Sequence, residues 1–329
     1  MGEFELLAKL RERLPRDGAR VHLGSGDDAA VTVPGGATAT SVDAIVEGVH
    51  FRREEAELRL VGRKAMATAL SDLAAMGAEA GEAYVVLGAP SDLGEEDFLA
   101  LLDGLLELAA ETGTTLAGGD VTRAPTLTLA VTVVGHAEAP ERLVSRGGAE
   151  AGDLLVLTGE IGAAAAGRLL LDDPDLAAAV PEATAARLRA RQLVPAPRLR
   201  SGQALAAAGA RAMIDLSDGL AGDAAHLARA SDVALRIDAA VLPLAAGVAE
   251  VAAAAGRDPL ESAVSGGEDY ELLAALPADA LQEASARVGE AAETTLVPIG
   301  EAVAGEGVEI RLPGGGTLAG RSYDHFAGP

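Results

Sequence analysis

The sequence predicts an α/β (α+β) protein built as two domains, and three observations carry that expectation. Short β-branched runs alternate with Ala- and Leu-rich helical runs along the whole chain. At 329 residues it is long enough for two domains, each with its own core. At 138–152, "EAPERLVSRGGAEAG", periodic apolar residues give way to Pro, Gly and charge. The predicted domains are therefore 1–138 and 139–329. Apolar residues make up 49% of the chain but aromatics only 2%, so Ala, Leu and Val must fill the cores.

In chain order, "MGEFELLAKLRERL" reads as an amphipathic helix with Phe4, Leu7, Leu10 and Leu14 on one side. It lacks the apolar run and small-residue cleavage site of a signal peptide. Strands are predicted over 29–33, 37–45, 83–89 and 127–137 in the first half. In the second half they fall over 153–159, 212–216, 233–238, 270–276 and 295–302. Helices are predicted over 58–76, 94–112, 162–171, 184–193, 201–209, 220–230 and 279–288. For the second of these, Ser91 and Asp92 offer caps, acids fill the first turn and Gly113 supplies a stop. The most apolar later stretch, "DAAVLPLAAGVAEVAAAAG", is broken by Pro243 and Glu250, which argues against a membrane span and for a cytoplasmic protein.

Net charge is −24 and no basic stripe is visible, so nucleic acid is not the expected partner. The chain has no cysteine, which excludes disulfides, thiolate metal sites and thiol nucleophiles.

The informative acidity lies inside apolar runs. In "GDDAA", Asp27 and Asp28 follow Gly26 and suit an Asx-type turn. In "SVDAIVEGVHF", Asp43 closes an alternating strand, with Glu47 and His50 soon after. In "GRKAMATALSDLAAMGA", Ser71 and Asp72 sit in a helix of small apolar residues, where an ionised Asp without a partner is costly. In "TLAGGDVTR", Asp120 follows Gly118 and Gly119, glycines that let a ligand approach the backbone. In "MIDLSDGL", Asp215 ends a strand, Ser217 and Asp218 form the turn, and Gly219 precedes a helix, a place where oxyanions and their metals bind. "SGGEDYEL" adds Glu268, Asp269 and Glu271 around Tyr270.

Turn aspartates explain each case singly but not the set, because so many embedded like charges repel one another. Only two lysines exist, Lys9 and Lys64. Divalent cations resolve the conflict: Mg²⁺ takes oxygen ligands and shares its shell with substrate phosphates. The Walker, Rossmann and protein-kinase signatures are all missing. A bound nucleotide would then rest on Mg²⁺, glycine amides and a few arginines.

These segments, with "GEFELL" at the start, "SRGGAEAGD" between the halves and "SYDHF" near the end, resemble the thiamine-monophosphate kinase family. Its superfamily includes aminoimidazole ribonucleotide synthetase and selenophosphate synthetase. The resemblance implies a two-domain fold of the aminoimidazole ribonucleotide synthetase type, with four-stranded N-terminal sheets pairing across a homodimer. It implies ATP and thiamine monophosphate as substrates and several Mg²⁺ ions. Asp28, Asp72 and Asp215 would bridge metals, with Ser41, the main chain of Val42, and Asp43 completing the shell. The family often has Thr at the Val42 position, so here only the carbonyl can ligate. Asp120 would hold metal on the ATP phosphates beside the Gly119 backbone, Arg146 and Ser217 would contact nucleotide, and Asp218 would bind a further Mg²⁺. His50, Glu268 and Tyr323 would contact thiamine monophosphate.

The same fold serves other reactions. A selenophosphate synthetase would ordinarily need a reactive Cys or selenocysteine, absent here, and "SGGEDYEL" with "YDHF" favours the thiamine enzyme over aminoimidazole ribonucleotide synthetase. A metal-dependent phosphohydrolase and a non-catalytic Mg²⁺-binding scaffold are the readings from other classes.

Overall fold

A computed structural model describes Arg13 and residues 20–23, 30–291 and 294–318. The chain forms two compact units. One runs up to Leu73 and includes Ala78–Glu141; the other takes Ala74–Gly77 and everything from Arg142 onward.

In the first unit a short antiparallel pair, β1 (Val21–Leu23) and β2 (Val31–Thr32), precedes a four-stranded sheet. That sheet holds β3 (Ala37–Val46), β4 (Glu79–Ala89), β5 (Thr115–Arg123) and β6 (Thr128–Ala137) in the order β3-β6-β4-β5. Helix α1 (Leu58–Ala75) connects β3 to β4, and α2 (Glu95–Thr112) connects the parallel pair β4 and β5. Alternation sorts the strand residues onto two faces. One face buries Ile45, Leu129, Val131, Val133 and Val85, and Leu73 of α1 approaches Gly135 of β6 on that side. The opposite face leaves Val42 65% and Val86 46% exposed. The two helices meet backbone to backbone: a Cβ on Gly104 would lie 1.8 Å from the Arg59 carbonyl oxygen, and one on Gly62 2.0 Å from that of Leu101.

The second unit is built on a seven-stranded sheet. In chain order its strands are β7 (Leu154–Thr158), β8 (Ala212–Asp215), β9 (Ala234–Asp238), β10 (Leu272–Leu276), β11 (Leu296–Val303), β12 (Gly307–Arg311) and β13 (Thr317–Leu318). Their spatial order is β13-β12-β9-β11-β7-β10-β8, antiparallel except for β12 beside β9. The helices are α3 (Ala163–Asp172), α4 (Pro174–Ala178), α5 (Glu182–Leu193), α6 (Leu199–Ala207), α7 (Leu220–Ser231), α8 (Val248–Ala254), α9 (Pro259–Ser265) and α10 (Leu281–Ala291). Leu155, Leu157, Ile214, Leu235 and Leu273 of the strands pack with Leu220 and Leu227 of α7 in one core. A second core joins Leu170, Leu176, Leu188 and Val251 from α3, α4, α5 and α8.

The α/β fold and every predicted strand and helix among the described residues are present, with corrections. "TLAGGDVTR", not among the predicted strands, forms β5, which runs through both glycines. Gly119 is required by the neighbouring strand, since a Cβ there would lie 2.0 Å from the Val85 carbonyl oxygen. Asp43 does not close its strand, because β3 continues to Val46. The N-cap of α2 is Gly94 without a side-chain bond, and Asp92 instead pairs with Arg53 at 3.0 Å. The acids of its first turn and Gly113 at φ 72° are as expected. Strands β1, β5, β12 and β13 and helices α4, α8 and α9 were not predicted. The expected N-terminal helix, Asp27, Asp28, Tyr323 and Phe326 lie outside the described residues (Arg13 excepted). Among the described residues, no helix is long and apolar enough to cross a membrane.

Candidate active site

In the first unit the predicted residues sit on β3, the turn after it, α1 and β5. Ser41 and Asp43 alternate onto the helix-covered side of β3, whereas Val42 points to the open face. Ser41 Oγ donates to Asp72 Oδ2 across from α1, so the strand and the helix bring these two together. Asp43 Oδ1 accepts from the following amide, Ala44 N, at 2.8 Å. Asp120 is exposed on β5, in register with Val86 of the open face, and so is not gathered with Ser41 and Asp72.

The turn after β3 is closely tied. Gly48 takes φ 84° and His50 N donates to the Val46 carbonyl at 2.9 Å. His50 Nδ1 accepts from Val46 N at 3.1 Å, which leaves the ring proton of the neutral imidazole on Nε2. The buried Lys64 of α1 donates to the His50 carbonyl at 3.2 Å, fixing the turn from beneath. Glu47 is taken up by Arg53 at 2.6 Å and is not offered to a ligand.

In the second unit β8 ends at Asp215, only 3% exposed, and Gly219 at φ 103° opens α7, as the sequence indicated. The turn between them is closed by the 265–268 loop. Glu268 N donates to the Ser217 carbonyl at 2.8 Å, and a Cβ on Gly267 would lie 2.3 Å from the same oxygen. Asp223, in the first turn of α7, was missed; it accepts from Asp218 N at 3.1 Å. Its signal was the one that marked Asp72, a lone acid in an Ala- and Leu-rich helix. Burial, and then the charges of Asp215 and Asp218, push the Asp223 carboxyl up to about 8, while Arg146 acts in the opposite direction. Arg146 itself lies in an exposed loop whose carbonyl accepts from Ser231 Oγ at 3.2 Å. The charges of Asp215 and Asp218 thus bear on Asp223, yet among the described residues no three His, Asp or Glu side chains converge as a ready-made metal cage.

"SGGEDYEL" divides into distinct roles. Asp269 accepts from Gly162 N at 2.6 Å and Ala164 N at 3.1 Å and so caps α3. Burial raises its carboxyl to about 7 against those two favourable bonds. Glu271 is fully buried between Arg198 (Nε at 2.8 Å), Arg191 (3.0 Å) and the Thr158 hydroxyl (2.8 Å). Neither Asp269 nor Glu271 is a metal position: backbone amides and arginines already hold them. Glu268 differs. Its backbone takes φ 67°, that of Tyr270 takes φ 51°, and its carboxylate accepts from Gln192 Nε2. Such left-handed non-glycine residues cluster at functional sites.

Two family descriptions together span most of the chain: AIR synthase related protein, N-terminal domain, over residues 26–137, and its C-terminal domain over 150–313. They define the class, a two-domain AIR synthase-related protein. A thiamine-monophosphate kinase of Mycobacterium tuberculosis (strain H37Rv) is 41% identical over 284 residues, covering 83% of this chain and 80% of the relative. The crystal structure of thiamine-monophosphate kinase from Stenotrophomonas maltophilia K279a superposes with TM-score 0.80 at 35% identity, covering 93% of this chain and 94% of that one. AaThiL complexed with AMPPCP and TMP gives TM-score 0.77 at 27% identity over 99% and 97%. The chain belongs to the thiamine-monophosphate kinase family.

Proposed function

We propose that this protein transfers the γ-phosphoryl group of ATP to the phosphate of thiamine monophosphate, giving thiamine diphosphate and ADP. The observation that carries the reading is near full-length similarity to thiamine-monophosphate kinases, one of them solved with AMPPCP and TMP. Of the readings from the same superfamily, the selenophosphate synthetase and aminoimidazole ribonucleotide synthetase reactions are not favoured, nor is a hydrolase or a scaffold.

In the reaction, an oxygen of the acceptor phosphate attacks Pγ in line as the bond from Pγ to the β–γ bridging oxygen breaks. The electron pair leaves with ADP. The attacking oxygen is already ionised, so no general base is needed and no side chain is assigned as one. The difficulty is electrostatic, because two polyanions must meet.

The donors fit Mg²⁺: they are hard oxygen ligands only, carboxylates, one hydroxyl and one backbone carbonyl. In the first unit Ser41, the Val42 carbonyl, Asp43 and Asp72 would hold it, with Asp28, while Asp120 on the open face would hold an ion on the ATP phosphates; in the second, Asp215 and Asp218 would. Bound there, Mg²⁺ would supply positive charge against the phosphates. The chain's own groups do the rest. In the first unit Gly119 and Asp120 would contact nucleotide and His50 thiamine monophosphate; in the second, Arg146 and Ser217 would contact nucleotide and Glu268 and Tyr323 thiamine monophosphate. Tyr323→Ala is expected to raise KM for thiamine monophosphate roughly five- to thirtyfold, the loss of about 1–2 kcal/mol of ring and cation–π contact, with KM for ATP nearly unchanged. An equal loss for both substrates would make Tyr323 an anchor of the tail.

Two further readings accompany this one. The open face carrying Val42 and Val86 suits pairing with a second copy as a homodimer. We place the enzyme in the cytoplasm, where ATP is available. The direct test incubates purified protein with ATP, Mg²⁺ and thiamine monophosphate. ADP should form only when thiamine monophosphate is present, and the product should have the mass of thiamine diphosphate. ADP release without acceptor would instead identify a phosphohydrolase.

A further inference from the structure

We infer that Asp223 is a positioning residue: its carboxyl oxygen locks the peptide group between Ser217 and Asp218, and so fixes the direction in which both side chains meet their ligands. The inference rests on the reading above that Asp218 holds Mg²⁺ and Ser217 contacts nucleotide. That one peptide group is held at both polar ends. Its carbonyl, that of Ser217, accepts from Glu268 N at 2.8 Å, and its N–H, that of Asp218, donates to Asp223 Oδ2 at 3.1 Å. The peptide group is planar, so turning it would break both bonds at once. Its plane sets ψ of Ser217 and φ of Asp218, and with them the aim of the two side chains.

The main chain on either side is already fixed. Leu216 N donates to the Glu271 carbonyl at 2.8 Å, and the Leu216 carbonyl accepts from Tyr270 N at 2.9 Å, so the exit from β8 is set. Beyond the turn, Asp223 N donates to the Gly219 carbonyl at 3.0 Å and begins the helical ladder of α7. That bond holds the main chain of Asp223, and at 2% exposed its carboxyl group has little room to reorient. Removing the carboxyl oxygen would therefore release the Ser217–Asp218 peptide while leaving its neighbours in place.

The bond also selects what the turn offers. A junction that leads into a helix ordinarily presents main-chain N–H groups to oxyanions. Here the Asp218 N–H is taken by Asp223, so at this residue a ligand meets a side-chain carboxylate, the group that suits a hard cation. Accepting the bond needs an oxygen and not a charge, so a side-chain amide at 223 could do the same.

The test compares Asp223→Leu and Asp223→Ala, which remove the acceptor, with Asp223→Asn, which keeps it. Hydrogen exchange at the Asp218 amide reads the lock. Mn²⁺ binding without nucleotide, followed by electron paramagnetic resonance of the free ion, reads its consequence. Asp223→Leu and Asp223→Ala should speed the exchange and weaken the Mn²⁺ site that depends on Asp218 by about tenfold. Asp223→Asn should keep the exchange slow and the Mn²⁺ affinity close to that of the unsubstituted protein. In an Asp218→Asn background, removing the acceptor should change Mn²⁺ binding little, because Asp223 acts through that residue. Where Asp223→Leu lowers the melting temperature, Asp223→Ala, which leaves the freed N–H room for water, gives the same comparison in a folded protein. Asp223→Asn losing as much affinity as Asp223→Leu would overturn the proposal, since charge and not the lock would then matter. Faster exchange with unchanged Mn²⁺ affinity would also overturn it and leave Asp223 a helix cap. If Asp218→Asn alone does not affect Mn²⁺ binding, the metal reading of Asp218 fails and takes this inference with it.

Discussion

Asp72 and Asp215 bear the sharpest consequences of single residues. Asp72 is bonded to Ser41 on the covered side of the first sheet, and Asp215 is a buried carboxylate at a strand end. Replacing either by Asn keeps the shape and removes the charge. Turnover should fall at least about a hundredfold, roughly 2.7 kcal/mol of barrier, with folding retained. Near-normal rates at ordinary Mg²⁺ would make them structural residues only. At this scale the sequence was legible where chemistry and local structure coincide. Asp72 stood out as an acid on an apolar helix, and Asp215, Ser217 and Asp218 as a strand–turn–helix junction. Asp269 and Glu271 looked just as exceptional but proved to be structural, since their partners, the α3 amides and Arg191 and Arg198, lie far away in sequence.

Among the elements, the capping of α3 carries a pH dependence. The Asp269 carboxyl is raised from 3.8 to about 7, chiefly by burial. The folded protein therefore keeps a proton that the unfolded chain releases, so stability falls as pH rises from about 4 to about 7. Asp269→Asn should flatten part of that slope in denaturation measured across the window, while Asp223 keeps its own share. An unchanged slope would show that Asp269 does not titrate there. Helix contact gives a second expectation. Gly104→Ala drives a methyl into the Arg59 carbonyl and should cost about 3 kcal/mol. Gly289→Ala in α10 meets nothing within 4 Å and should stabilise by up to about 1 kcal/mol. Urea midpoints distinguish the two. Most elements were readable because apolar period and caps agree, as at Gly113. Strand β5 was not, because Gly118 and Gly119 mimic a turn when what demands Gly119 is the adjacent strand.

For the whole molecule, the account holds that an acidic, cysteine-free chain manages phosphate charge with metal and polar backbone, with no covalent relay. The alternation of strand and helix made the α/β class legible. The order of strands within each sheet was not, because it depends on pairings between segments far apart in the chain. The measurement that tests the central claim most directly is rapid-quench transfer from γ-³²P-ATP in a single turnover with Mg²⁺ and thiamine monophosphate. The account predicts that label passes straight into thiamine diphosphate, with none on the protein at any time. A labelled protein that forms and decays fast enough to lie on the pathway, or label released only as inorganic phosphate, would contradict it.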